Sequence, residues 1–387
     1  MKVLLVANYL HDAQESMQRF AALMERGLTE AGQEVRVCRP TAIVGRLRPS
    51  GRGVGKWLGY VDKFAVFPVP LRAAAKWADV VHICDHSNSF YVEHLRSRPH
   101  VVTCHDVLAI KSALGGIPQV RTKWTGCQLQ RMILNGLLEA QHVACVSEAT
   151  RRELLRLSSI SECCVSRIYN GLNYPYSRMA AHEAAPRIRQ FRIDSGQLFL
   201  LHVGANQWYK NRLGVLRIFS CLRKCEAGRN LKLVMVGKPW TLEMRRFVSE
   251  HSLRDAAFEL TGVAEEDLRA LYSTAAMMLF PSLQEGFGWP ILEAQACGCP
   301  VVTSNRSPMD EVGGSAAIYV DPENAESAAA TVAGALGRVA DLREASVQNA
   351  ARFSTSAMIN SYMCLYKRLS SENPSSHQLD YRTGANC

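Results

Sequence analysis

Two carboxylates frame a glycine turn in the stretch FPSLQEGFGWPILEAQACGCPVVTS, residues 280–304. Glu285 stands just before Gly286-Phe287-Gly288, and Glu293 falls in what the spacing makes the first turn of a helix. Gly286 and Gly288 let the backbone approach a ligand closely. Pro290 suits the first helical position, where its missing N–H would be unpaired anyway. A helix start with free N–H groups favours anions, so a diphosphate fits on the Gly286–Gly288 amides. A carboxylate on either side can accept from sugar hydroxyls, one from a transferred sugar and the other from a ribose. One glutamate alone would read as a solvated or dipole-compensating acid; two of them framing Gly-Phe-Gly favour the ligand.

The elements that hold this turn are legible on both sides. Met277 to Phe280 is an apolar run of strand length, Pro281 and Ser282 end it, the helix stops near Gly298, and Val301 to Thr303 begins another strand. Strand, glycine loop, helix, strand is half of a doubly wound α/β domain, with its ligand at the loop. The alternation runs through most of the chain. Lys2 to Ala7, Val35 to Val37, Val80 to Cys84, Val101 to Cys104, Val143 to Val146 and Val165 to Tyr169 read as strands of a first half. Leu198 to Val203, Leu233 to Val236, Met277 to Phe280, Val301 to Thr303 and Ile318 to Val320 read as strands of a second. Met17, Phe20, Ala21, Met24 and Leu28 have helical spacing, as does a last pattern over 356–369. Such alternation implies right-handed βαβ units and two parallel sheets.

The expected division is a first domain over 1–175, a patternless linker over 176–196, a second domain over 197–354, a final helix over 355–370 and a disordered polar tail over 371–387. Residues 39–76 interrupt the alternation with Pro49, Gly51, Gly53, Gly55, Pro68 and Pro70, and read as a flexible surface loop. The GRGVGK within it is no phosphate loop: it follows no strand, has the wrong spacing, and places Trp57 where serine or threonine is needed.

Composition narrows the class. With 387 residues, 48% of them hydrophobic, the chain can form two cores, and no apolar stretch is long enough to span a bilayer. The opening MKVLLVANYL reads as a buried strand rather than a leader, which places the chain in the cytoplasm. Thirteen cysteines lack the paired spacing of zinc sites and read as reduced thiols. The net charge of +10 is uneven: residues 1–180 hold 23 Lys and Arg against 14 Asp and Glu, +9, while the rest hold 22 against 21, +1. Residues 39–76 carry eight basic residues and one acid, Asp62, with Trp57, Tyr60, Phe64 and Phe67 interleaved. That mixture suits either an anionic membrane surface on the inner face of the cell membrane or a merely solvated loop. No recognition motif points to nucleic acid.

The Glu285-x7-Glu293 spacing inside EGFGWPILEAQACGCPVVTS resembles the signature of the retaining GT-B glycosyltransferases of family 4. The resemblance extends to LHVGANQWYKN (201–211), LVMVGKP (233–239), LTGVAEEDLRALYSTA (260–275) and DEVGGSAAIYVDP (310–322), and more loosely to the first half. It implies two Rossmann-like doubly wound domains facing across a cleft, the final helix returning to the first. It implies transfer of a sugar from a nucleotide-diphosphate sugar to an acceptor hydroxyl, with retention, the acceptor being a glycan or lipid-linked sugar. Glu285 then positions the donor sugar, Glu293 the ribose, and Lys210 with the Gly286, Phe287 and Gly288 backbone the diphosphate. Gly204 and Asn206 border the phosphates, Gly262 and Val263 the base, and His105, in Val102-Thr103-Cys104-His105-Asp106, the transferred sugar. The other histidines, His86 among them, read as structural.

No metal or other cofactor is expected: the chain has no Asp-x-Asp pair, so the leaving phosphate must be met by basic groups and dipoles. The chain departs from the family at Ala205, where relatives often carry arginine, with Asn206 and Arg212 as substitutes, and at His11 to Gln18, which lacks the usual glycines. Two rival readings stay open, a sugar-nucleotide epimerase on the same fold and a non-catalytic nucleotide-sugar-binding or scaffolding protein. An oxidoreductase is disfavoured, because no Gly-x-Gly-x-x-Gly follows the first strand.

Overall fold

Val, Leu, Ile and Met fill the short apolar runs, and both faces of the resulting strands are covered, as parallel sheets require. The computed structural model describes residues 1–371, apart from Ala13, 48–53, Gln119 and Ser195. The expected tail therefore lies outside the described residues from 372 onward, as does part of GRGVGK. The chain forms two compact units, one of Met1–Asn173 with the C-terminal segment from Thr355, the other of Tyr174–Ser354.

The first unit holds six strands: β1 (Lys2–Val6), β2 (Glu34–Cys38), β3 (Val80–Ile83), β4 (His100–Cys104), β5 (His142–Cys145) and β6 (Val165–Arg167). They pair in parallel in the order β2-β1-β3-β4-β5-β6. The strand order reverses between β1 and β3, so the loops after those two strands part there and leave a crevice at the carboxyl edge. The helix Glu15–Glu30 buries Phe20, Leu23, Met24 and Leu28 against the sheet. Gly27 in the same helix lies against the last helix, Thr355–Ser371; a Cβ there would sit 2.7 Å from Ile359. That last helix is anchored by a buried polar chain in which His82 contacts the Tyr366 hydroxyl and Thr103, each at 2.7 Å, and Thr103 contacts the Tyr362 hydroxyl. His82 is thus a satisfied core histidine.

The second unit holds β7 (Phe199–Gly204), β8 (Lys232–Gly237), β9 (Ala257–Leu260), β10 (Met277–Phe280), β11 (Val301–Ser304) and β12 (Ile318–Val320). The order β12-β11-β10-β7-β8-β9 is all parallel and reverses between β7 and β10. The expected parallel doubly wound sheets are both present.

Three local readings are corrected. Residues 39–76 are not simply loop: among the described residues they form the helix Val54–Val61, a wider turn at Asp62–Val66 and the helix Pro68–Ala75. Asp62 organises the segment, its buried carboxylate accepting from the backbone N–H of Val44 and Gly45 at 2.9 Å each and from the Tyr9 hydroxyl at 3.2 Å. Prolines at a helix start conform to the helix rather than break it. β9 escapes a reading by apolar runs because only Ala257 of its four residues is fully buried, as befits an edge strand. The stretch 176–196 contains the helix Ala181–Arg189, which buries Ala184 and Ile188 within the second unit.

Among the described residues no helix is long and apolar enough to cross a membrane. The twelve described cysteines are all free thiols.

Candidate active site

The reversal between β7 and β10 brings the loop after one strand against the loop after the other, and two predicted residues meet there. Lys210 donates to both carboxylate oxygens of Glu285, at 2.7 and 2.9 Å. Both side chains are largely withdrawn from solvent, 16% and 7% exposed. The ammonium also stands over the rings of Phe280, at 5.1 Å, and Tyr209, at 5.6 Å. The aromatic faces hold the ion pair largely out of water.

The local chain explains the placement. A short turn, Trp208–Lys210, follows β7, and Asn211 takes the left-handed conformation at φ 51°, one that asparagine tolerates. Its amide donates to the carbonyls of Pro281 and Pro322, both at 3.0 Å, and the Leu283 N–H donates to the Tyr209 carbonyl at 2.7 Å. The loops after β7, β10 and β12 are thereby tied together. Gly204 and Gly237 end adjacent strands; a Cβ on Gly237 would lie 2.0 Å from the Gly204 carbonyl oxygen, so no other residue fits.

Gly288, at φ 101°, precedes the helix Trp289–Ala296. Trp289 therefore takes the first helical position and Pro290 the second. Glu293 is consequently the fifth helical residue, not the fourth that a start at Pro290 implied; it lies just past the first turn, where it is 5% exposed. It accepts from the Tyr272 hydroxyl at 3.0 Å. Burial first, and then the Glu293 charge, pushes the Tyr272 phenol well up, so this hydroxyl remains a donor at neutral pH. Tyr272 is absent from the sequence reading; only the fold shows that the helix Glu265–Thr274 delivers it to Glu293.

Gly262, at φ 65°, and Val263 follow β9, with open space where a Gly262 side chain would stand. Between β10 and β9 lie β7 and β8, so three strand spacings separate Glu285's strand from the Gly262 loop, or about 14 Å.

Of the two substitutes for the missing arginine at Ala205, Asn206 is fully engaged, donating to the Pro239 carbonyl at 2.7 Å and accepting from Arg212. Arg212 is 4% exposed and also donates to the Lys238 carbonyl at 2.7 Å, yet its Nε and Nη2 have no hydrogen-bond partner. Burial pushes the guanidinium down, against the pull of Glu259. The buried Ser282, Gln284 and Ser304 side chains at the same carboxyl edge also carry unpartnered oxygens. Buried polar atoms of this kind call for a partner, whether a water, an ion or a ligand.

In the first unit, His105 follows β4 as expected, but its ring is 5% exposed and packs edge-on to Phe20 at 4.7 Å. Its Nε2 lies 2.8 Å from the Cys84 carbonyl, an acceptor only, so Nε2 carries the proton. Burial pushes this imidazole down, so it is neutral and presents Nδ1 as its acceptor.

The reading from sequence missed what surrounds it. Asp85, just after β3, accepts from Asn8, just after β1, and from the N–H of Ser87, so the two loops meet where the strand order reverses. His86 stands with Nδ1 3.1 Å from Asp85. Burial alone would push His86 down; the charges of Cys104 and Asp85 outweigh it and raise it instead. Burial would likewise raise Asp85, but His86, His105 and Ser87 together hold it below the usual carboxylate range. The available signal was position, since polar residues directly after buried strands of a doubly wound sheet face the carboxyl edge.

Two family models match the chain. The model described as Glycosyltransferase Family 4 matches residues 17–174, and that described as Glycosyl transferases group 1 matches 185–353. The chain is 28% identical over 265 residues to the O-antigen chain mannosyltransferase B of Escherichia coli, covering 68% of each protein. It is 26% identical to the O-antigen chain mannosyltransferase RfbU of Salmonella typhimurium, over 48% of each, so it matches only about half of that relative's length. Among solved structures, sucrose-phosphate synthase from Thermosynechococcus elongatus superimposes with a TM-score of 0.77 at 18% identity, covering 96% of this chain and 99% of that one. The two family models, with the fold, make the chain a glycosyltransferase of the GT-B class. Within that class the chain belongs to family 4, as the two family models over its two halves show.

Proposed function

We propose that the chain transfers a hexosyl residue from a nucleotide-diphosphate sugar to a hydroxyl of a glycan or lipid-linked acceptor, with retention and without a metal, in bacterial surface polysaccharide or glycolipid synthesis. The O-antigen mannosyltransferases among its relatives favour a mannosyl donor. The observation that carries the reading is the Lys210–Glu285 pair at the β7–β10 reversal, beside the glycine turn.

In this reading the diphosphate lies on the Gly286–Gly288 amides, with Lys210 opposing the negative charge that grows as the sugar leaves. Glu285 receives hydroxyls of the transferred sugar. Glu293, oriented by Tyr272, receives the ribose hydroxyls, and Gly262 and Val263 border the base. His105, as a neutral acceptor, contacts the transferred sugar. The bond from the anomeric carbon to the phosphate oxygen breaks as the acceptor oxygen attacks the same face. The acceptor proton passes to the leaving phosphate, so no strongly basic side chain is required. The basic surface of residues 39–76 brings the enzyme to the inner face of an anionic membrane.

An anomer-resolved product assay on the nucleotide-sugar that most raises the melting temperature tests this. The expected result is turnover that needs acceptor, slowed by Glu285→Ala, with nucleotide binding weakened by Glu293→Ala. Donor isomerised without acceptor would indicate an epimerase, and donor bound but never consumed a binding protein. Near-unchanged turnover in both variants would refute the site.

A further inference from the structure

An open groove of about 370 Å³ lies in the first unit. One wall is Trp57, Tyr60 and Phe64, from the helix Val54–Val61 and the turn that follows; the other is Trp124, Leu129 and Met132, from the helix Trp124–Glu139. The aromatic rings form a ladder from surface to core: Trp57 to Tyr60 at 5.7 Å, Tyr60 to Phe64 at 5.8 Å, Phe64 to Phe90 at 4.7 Å. The lip is exposed, Trp57 at 61%, Trp124 at 74% and Met132 at 45%. Two exposed tryptophans converging from segments more than sixty residues apart are not an incidental bare side chain.

Both segments that form the groove are basic. Of the side chains described in residues 39–76, five are Lys or Arg (Arg39, Arg46, Lys63, Arg72 and Lys76) and one is an acid, Asp62, which is buried and accepts from backbone N–H groups. Residues 107–138, which supply the other wall, hold four Lys and Arg and no acid. Arg46, Arg72, Arg121, Lys123 and Arg131 are exposed. An aromatic lip on two basic segments matches a layer that is anionic at its surface and apolar just beneath. The segment is also continuous with the carboxyl edge of the sheet: Lys63 pairs with Asp12, and Tyr9 holds Asp62, both from the loop after β1.

We infer that this groove is a bilayer-docking surface, made jointly by the two segments, in which Trp57 and Trp124 enter the headgroup layer of an anionic membrane while the surrounding cations bind its phosphates. The inference deepens the membrane part of the proposed function, adding the second wall, and does not depend on which sugar is moved. Trp57 and Trp124 touch none of the residues assigned to the donor.

The test is flotation of the full chain with phosphatidylglycerol–phosphatidylcholine vesicles and with pure phosphatidylcholine vesicles, following tryptophan emission. The chain should float with the anionic vesicles only, with a blue shift, and come off in molar salt. Trp57→Ala/Trp124→Ala should weaken partitioning about tenfold or more, and Lys123→Glu/Arg131→Glu about as much, with melting temperature and turnover of a water-soluble acceptor unchanged. No flotation, or flotation indifferent to the tryptophans, overturns the inference. So does self-association abolished by the tryptophan variant in a chain that ignores vesicles, which would make the groove a protein interface. Loss of turnover with flotation intact would strike the proposed chemistry and leave the docking surface standing.

Discussion

The two sheets have the same number of strands and the same parallel sense, yet their carboxyl edges are built on opposite plans. In the second unit the edge combines glycine backbone with an ion pair and a few buried polar side chains: Gly204, Gly237, Gly262 and Gly288 hold positions that side chains would fill or strain, Lys210 meets Glu285, and Tyr272 meets Glu293. In the first unit the edge is filled with side chains that bind one another: Asn8, Asp85, Ser87, His86 and His105. Backbone amides and a lysine suit a phosphate, whose charge is spread and non-directional. Imidazoles, amides and carboxylates suit hydroxyl groups, which must be told apart by direction. The contrast teaches that two parallel six-stranded sheets of different strand order can offer different groups at their carboxyl edges, glycine backbone in one and mutually bonded polar side chains in the other.

The largest effect expected from this contrast is on acid stability. His82 is pushed down by burial to about 3, and His100 and His105 are pushed down as well, all in the first unit; among the described residues the second unit has one such group, His202, also at about 3. Between those values and an ordinary histidine the unfolded chain binds more protons, so this stability is complete above about pH 6.5 and is lost as the pH falls toward 3. Asp85, also depressed, adds a loss at still lower pH, while His86, being raised, contributes stability that fades only on the alkaline side. Hydrogen exchange from pH 7 downward should show β3 and β4 losing protection before β7 and β10; simultaneous loss would break the comparison.

Next is Asp85→Asn, which leaves His86 buried beside a neutral amide and should cost about 3 kcal/mol. Urea unfolding measures it, and a change under about 1 kcal/mol would show that the first unit's edge is not held by this pair. Third, Lys210→Ala should lower kcat about 10²-fold. Because Lys210 and Glu285 act as a unit, adding Glu285→Ala should lower it far less than the product of the single effects; full additivity would mean that the pair is structural only. The smallest effect is Arg212→Met. Removing a buried, half-partnered cation should leave the melting temperature unchanged or raised, while nucleotide affinity falls about tenfold. Calorimetric titration reads the second, and equal loss of stability and affinity would deny Arg212 a phosphate.

How much of the site was legible from the chain varied with its locality. The turn at Gly286–Gly288 and its two acids could be read because the signal is contained in nine residues, and Lys210 because it follows a strand at a recognisable remove. Glu293 was placed one residue too early, since a reading from Pro290 cannot see that Trp289 already occupies the first helical position. Asp85 and Asn8 were not read at all: they are 77 residues apart and become partners only when β1 and β3 pair. The basic segment hid its helices because prolines and glycines mask a pattern that Asp62 completes by reaching back to 43–45.

The sequence alone determined what short-range sterics and periodicity control: the parallel βαβ alternation, the glycines that only a close backbone approach requires, and the types of group available to hold a phosphate. Tertiary structure decided which of those groups meet, and in what charge state. Strand order set Lys210 against Glu285, Tyr272 against Glu293 and Trp57 opposite Trp124, and burial set the protonation of the histidines. Contact and desolvation depend on neighbours distant along the chain, and those neighbours exist only once the sheets have formed.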